Sequence, residues 1–273
     1  MSKQLVVTFR LDASNYDDEG GVSALDFARQ DAYDLIFKRA EMNVLEALLR
    51  SAAYPCGNEA TDQLFRSVLN NEIKAIKAAA ESADYMVGHM MGARNLRKRA
   101  ELLEFALGEC RLSGLVMEFG VFRGESLRFI AKRVREEVFG FDSFEGLPED
   151  WTSSQKQGRF TLNGVVPEFK ETNIRICKGW FDESLPVFLA AHAGPARFIH
   201  IDCDIYSSTR TVLNLLGSRI VKDTVIVFDE YLNYPSWREH EYRAFQEFVA
   251  SRGLKYRYIG FASSHFSVAV VIE

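Results

Sequence analysis

The chain has little of what staples small secreted proteins or builds soft-metal sites. Its four cysteines, Cys56, Cys110, Cys177 and Cys203, show no CxxC or Cys/His spacing, which excludes the common zinc motifs. Reduced thiols in a soluble, cytoplasmic protein are the expectation. No apolar run approaches the length of a membrane span, and the start, MSKQLVVTFRLD, lacks the hydrophobic region of a signal peptide. An excess of positive charge is missing as well. The net charge of −5 and pI near 5.7 leave no global basic field to attract nucleic acid or anionic lipid. One basic cluster, Arg94 to Arg99 (RNLRKR), leads into the apolar-periodic ELLEFALGE and reads as a solvated helix face. Two nucleotide signatures are also absent. The GxxxxGK[ST] phosphate loop does not occur. In MEFGVFRGES, Phe122 replaces the middle glycine of GxGxxG, the one that lets backbone approach a pyrophosphate. Both gaps argue against NAD, FAD and nucleoside triphosphates, and a nucleoside ligand without phosphate stays allowed.

What the chain does contain is a change of pattern near its middle. A strand is expected over residues 3–11, then an acidic loop, DASNYDDEGG, then a helical pattern from Ser23 to about Arg50. After a break at Tyr54 to Asn58, helical segments dominate from Thr61 to Cys110. Beyond Arg111, short apolar runs alternate with helical ones. GLVMEF precedes ESLRFIAKRV and then EVFGFD, NIRICKG precedes DESLPVFLAA, ARFIHID precedes STRTVLNLLG, and TVIVFDE precedes WREHEYRAFQEFVA. This alternation predicts an α/β fold with a doubly wound, seven-stranded, mostly parallel sheet. Only the last two strands, KYRYIGF and FSVAVVIE, are close enough to form an antiparallel hairpin.

In open α/β sheets, ligands bind at the carboxyl ends of the strands, where strand order reverses. Four such ends carry acids here: Glu118, Asp142, Asp202 with Asp204, and Asp229 with Glu230. Any one of them alone is explained by a turn or a helix cap. Four converging on one sheet edge define a candidate site. The pair in FIHIDCDIYSSTRTVL is the least comfortable, because two carboxylates ending a core strand need a counter-charge. Asp142 stands 22 residues after Gly120, about the spacing of a carboxylate that holds ribose hydroxyls. Trp180 and Phe181, in CKGWFDESLP, offer an aromatic surface for a base, or simple packing. Glu118 could accept from a cationic amino group or cap a helix. His240 and His265 read as surface or packing residues.

The words EFGVFRGES, GFDSFEGLPEDW, KGWFDESLP, HIDCDIYSSTRTVL and VIVFDEY, with DYMVGHMMGARNLR upstream, together resemble a class I S-adenosylmethionine-dependent methyltransferase of the macrocin O-methyltransferase (TylF-type) family. The likeness runs from about Asp84 to the C-terminus. It implies a methyltransferase domain over residues 84–273 and leaves 1–83 as a mainly helical cap or extension. It further implies an S-adenosyl-L-methionine pocket formed by Met86, Glu118, Gly120, Ser126, Asp142, Ser143, Trp180 and Phe181. Magnesium or another divalent cation would be held by Asp202, Asp229 and Glu230. Where relatives often have Asp-Asp at the last pair, this chain has Asp-Glu. Asp204 would be the catalytic base, and the alternative is that it caps the helix beginning near Ser207. The partner expected is a small hydroxylated acceptor, plausibly a sugar or a glycosylated natural product, with no nucleic acid and no membrane. A homodimer is compatible with the helical extension.

Two other functions stay open on the sequence. One is a metal-independent N- or O-methyltransferase that keeps the acids for structural reasons. The other is a cofactor-binding interaction protein without turnover. Acceptor choice would rest on the N-terminal region, the loop 145–172 and the segment YLNYPSWREH.

Overall fold

The structure is a computed structural model that describes residues 59–152 and 155–273, with side chains from residue 73 onward. The strand expected over 3–11 and the helix expected over 23–50 lie outside the described residues.

Seven apolar runs form the expected strands. They are β2 (Leu115–Phe119), β3 (Val138–Asp142), β4 (Ile174–Lys178), β5 (Ala196–Ile201), β6 (Val225–Phe228), β7 (Tyr256–Ala262) and β8 (Val268–Ile272). Every residue of β6 and β8 is buried, as strands covered on both faces require. The helices are α1 (Glu59–His89), α2 (Arg99–Glu109), α3 (Glu125–Ala131), α4 (Phe181–Ala191), α5 (Tyr206–Leu216) and α6 (Glu241–Arg252). On one face of the sheet, Phe119, Phe141, Ile199 and Phe228 pack with Leu185 of α4, Val212 of α5 and Phe245 of α6. On the other, Val116, Val138, Phe198 and Val225 pack with Leu102 and Leu103 of α2 and Leu127 of α3. Alternate residues of each strand therefore feed two separate cores, the signature of a doubly wound sheet.

The sheet has eight strands rather than seven, in the order β1-β7-β8-β6-β5-β2-β3-β4. The extra one, β1 (Arg94–Leu96), pairs parallel with β7, with Arg94 opposite Gly260. The basic cluster is thus not the solvated helix face expected of it: its first half is an edge strand and only Arg99 begins α2. Strand β8 runs antiparallel to both of its neighbours, β6 and β7. Strand order reverses between β2 and β5, which places their carboxyl ends, at Phe119 and Ile201, on either side of the crevice.

Helix α1 runs unbroken through the expected boundary between residues 83 and 84. From Leu64 onward it belongs to the same compact unit as the sheet. Its last turns bury Ala78, Ser82 and Tyr85. The Ser82 hydroxyl accepts from Asn233 N–H at 2.9 Å, and the Tyr85 and Tyr258 hydroxyls lie 2.7 Å apart. No helix among the described residues is long and apolar enough to cross a membrane.

Candidate active site at the strand-order reversal

The turn after β2 is built around Gly120, whose φ is +90°. A Cβ there would sit 1.6 Å from the carbonyl oxygen of Asp202, so only glycine lets the ends of β2 and β5 approach. Asp202 N–H donates to the Phe119 carbonyl at 2.8 Å and closes that junction. Asp142, at the end of β3, holds the rest of the turn. Its Oδ2 accepts from Val121 N–H at 2.7 Å and Phe122 N–H at 2.8 Å, and its Oδ1 accepts from Phe144 N–H at 2.7 Å. An ionised carboxylate offers about four acceptor positions, so capacity remains for a ligand hydroxyl.

On the β5 side, Glu118 and His200 are register partners across β2 and β5, and both are fully buried. His200 Nδ1 lies 2.9 Å from Glu118 Oε2, and its Nε2 lies 3.6 Å from Asp229 Oδ1. Burial opposes a charge on this imidazole, but its bonds to Asp229 and Glu118 raise its pKa to about 9. Asp229 also accepts from the Ser267 hydroxyl at 3.0 Å and from Arg99 Nη1 at 2.7 Å. Against its burial, the His200 bond and the Arg99 charge keep Asp229 below the usual carboxylate range. Arg99 Nη2 also reaches Asp202 Oδ2 at 3.3 Å. Part of the counter-charge opposite the β5 aspartates is therefore a guanidinium of this chain.

Three acids are less well compensated. Oxygens of Asp202, Asp204 and Glu230 come within 4.8 Å of one another. Asp204 adopts a left-handed φ of +63° and is buried. Burial first, then the Asp229 charge, pushes its carboxyl up to about 7. The same two causes raise Asp202 and Glu230 well above the ordinary range. Among the described residues Glu230 Oε2 is buried without a hydrogen-bond partner. Clustered hard oxygen donors with an unsatisfied member are what a divalent cation such as magnesium takes, so the residues fit that group, and the trio brought together has Asp204 where Asp229 was expected. His200, Asp202 and Asp229 form a second close set.

These features open on one cavity of ≈ 630 Å³. Gly120, Ser126, Asp142, Ser143, Trp180 and Phe181 line it, as do Asp202, Asp204, Asp229 and Glu230. Phe181 is fixed edge-on to Phe119 at 5.6 Å, whereas Trp180 is 37% exposed at the rim. Two expected pocket residues stand elsewhere. Met86 packs against the hydrophobic core, and Glu118 is buried behind the cavity wall on His200. Asp204 does not cap α5, whose N-cap is Ile205 with no side-chain cap bond. His265, expected as a surface or packing residue, lines the cavity and bonds to the Ser267 hydroxyl at 2.7 Å.

Sequence reasoning passed over Arg99, His200 and Trp151. Arg99 was hidden inside a basic run, and His200 inside an apolar strand. The available signal for His200 was its place two residues before Asp202, and the structure sets it in register with Glu118. Trp151, from the loop 145–172, lines the cavity and contacts Tyr234 (5.9 Å between centroids) and His240 (6.4 Å). Two loops that were separate candidates for acceptor contact thus meet.

The reversed last strand between β6 and β7, with a ligand cavity at the β2/β5 reversal, is the architecture of class I methyltransferases. A profile described as macrocin-O-methyltransferase (TylF) matches residues 59–258, and the chain belongs to that family. One relative is the 8-demethyl-8-(2,3-dimethoxy-alpha-L-rhamnosyl)-tetracenomycin-C 4'-O-methyltransferase of Streptomyces olivaceus. It is 30% identical over 165 residues, and the match spans 52% of this chain and 62% of that protein's length. Among solved structures, CalS11, a calicheamicin methyltransferase, shares the fold with a TM-score of 0.51 at 17% identity, covering 96% of this chain and 99% of that one.

Proposed function

We propose that this chain is an S-adenosylmethionine-dependent O-methyltransferase acting on a hydroxyl of a sugar or glycosylated natural product. The observation that carries this reading is the sharing of one cavity by the Asp142-held glycine turn and four strand-end acids. The family and the sugar-directed name of the Streptomyces olivaceus relative support the acceptor class.

Gly120, Ser126, Asp142 and Ser143 would hold the nucleoside and methionine parts of S-adenosylmethionine, with Trp180 and Phe181 beside the base. When bound, that cofactor supplies a methyl group on a sulfonium. Asp202, Asp229 and Glu230 would hold a divalent ion, which when bound lowers the pKa of an acceptor hydroxyl. Asp204 is the base. It lies within 4.8 Å of ligand oxygens on Asp202 and Glu230, lines the cavity and makes no helix cap. The Asp204 carboxylate would take the proton that the acceptor hydroxyl gives up on methylation. Methyl transfer needs in-line geometry above all, so the walls around these groups do most by orienting the reactants.

The test is S-adenosylhomocysteine release with a panel of glycosylated acceptors, with and without chelator. Asp204→Asn should lower turnover by about 10²–10⁴-fold while sparing S-adenosylhomocysteine affinity. Asp202→Asn should weaken metal binding, with partial rescue by added magnesium. Normal turnover in the Asp204 variant ends its role as base. A second reading, metal-independent transfer, is favoured by Arg99, which already neutralises Asp202 and Asp229. Chelator-insensitive activity of the wild type would select it.

A further inference from the structure

Arg99 is held in place by an unusual amount of local structure for a surface arginine. Strand β1 pairs with β7, and Ser263 N–H donates to the Leu96 carbonyl at 2.7 Å. Ser264 N–H donates to the Arg97 carbonyl at 3.1 Å. Glu101 Oε2 accepts from the backbone N–H of Arg97 at 3.0 Å and of Lys98 at 3.4 Å, which fixes the start of α2. Arg99 is the first residue of that helix, and its side chain is only 30% exposed. It does not extend into solvent with the rest of the basic run. The guanidinium forks between two acids on different strands, Asp229 Oδ2 at 2.7 Å and Asp202 Oδ2 at 3.3 Å. Among the described residues no Lys or Arg is paired with Asp204 or Glu230.

We infer that Arg99 is the resident cation of the acid cluster, and that a divalent ion must take Asp202 or Asp229 away from it. The inference rests on the metal-binding reading above. It follows from geometry and charge. The planar fork holds Oδ2 of both carboxylates, so an ion that ligates through those oxygens must displace it. It also places a positive charge next to the incoming ion, and like charges at such separations repel by kilocalories at protein-surface dielectric. The eighth strand then has a purpose in the site: its pairing to β7 delivers the cation that bridges Asp202 and Asp229 when no ion is bound.

The experiment is Mn²⁺ titration of the full chain, read as free-Mn²⁺ signal by electron paramagnetic resonance. It is run on wild type, Arg99→Gln and Arg99→Lys. Arg99→Gln should bind Mn²⁺ at least about tenfold more tightly than wild type, because the competing charge is gone. Its metal-free melting temperature should fall and be restored by Mn²⁺. If Arg99→Gln does not fold, Arg99→Lys decides: its single ammonium keeps the charge but lacks the planar fork that grips both carboxylates, so it should also bind Mn²⁺ more tightly than wild type. Equal or weaker Mn²⁺ affinity in the variant that folds overturns the inference, as does absence of Mn²⁺ binding to every form. S-adenosylhomocysteine calorimetry on the same samples separates the two failures. Intact nucleoside binding without Mn²⁺ binding leaves the methyltransferase reading standing, and loss of nucleoside binding alone removes that reading while the Mn²⁺ comparison still decides the role of Arg99.

Discussion

His200 Nδ1 lies 2.9 Å from Glu118 Oε2, and neither side chain reaches solvent. Removing one partner of such a pair strands the other in a low-dielectric interior. His200→Ala should therefore cost about 3–5 kcal/mol of folding stability, measured by urea unfolding. His200→Gln, which can still donate to one carboxylate, should lose less. An alanine variant as stable as wild type would show that the pair contributes nothing.

Asp142 serves two masters, the turn after β2 and the cavity. Asp142→Ala leaves three backbone N–H groups, of Val121, Phe122 and Phe144, without their acceptor. Stability should fall by about 1–3 kcal/mol or more. S-adenosylhomocysteine affinity should also fall, by about tenfold or more, as a charge-assisted acceptor is lost. Destabilisation with unchanged affinity in calorimetry would reduce Asp142 to a scaffold residue.

Two glycines should respond in opposite directions to alanine. At Gly120 the new Cβ would overlap the Asp202 carbonyl, 1.6 Å away, so β2 and β5 must separate. That variant should be strongly destabilised and inactive. Gly108, inside α2, has nothing within 4 Å of an added Cβ. Gly108→Ala should raise stability by roughly 0.5–1 kcal/mol, the helix-propensity difference. Thermal melts of the two variants check both signs.

Cys110 and Cys177 should be slow to alkylate. Burial raises both thiols from 9.0 to about 11, so at pH 8 each holds roughly a hundredth of the thiolate of a free cysteine. Mass spectrometry after brief iodoacetamide treatment should find these positions unlabelled in folded protein and labelled in urea. Labelling at the rate of a free thiol would contradict the partial burial that raises them.

The seven long strands were legible in the sequence because each is an apolar run too short for a helix, and four of them are followed by an amphipathic one. Asp142, Asp202, Asp229 and Glu230 were legible because charged residues ending such runs have little reason to be there unless they face a crevice. Asp204 needed the structure to separate a cap from a cavity residue, since both begin as an acid shortly before a helix. The strand β1 was not readable. Two of its three residues, Arg94 and Asn95, are polar and exposed, and the segment is extended only because β7 offers an open edge and the Ser263 and Ser264 N–H groups donate to the carbonyls of Leu96 and Arg97. His200 was equally silent, since a lone imidazole in an apolar strand acquires meaning only when strand register sets it beside Glu118. Arg99 lay five positions along a basic run that composition alone treats as solvated. What turned its side chain inward was the field of two carboxylates more than a hundred residues downstream, and such long-range electrostatics enters only when folding brings the ends of β5 and β6 within reach of α2.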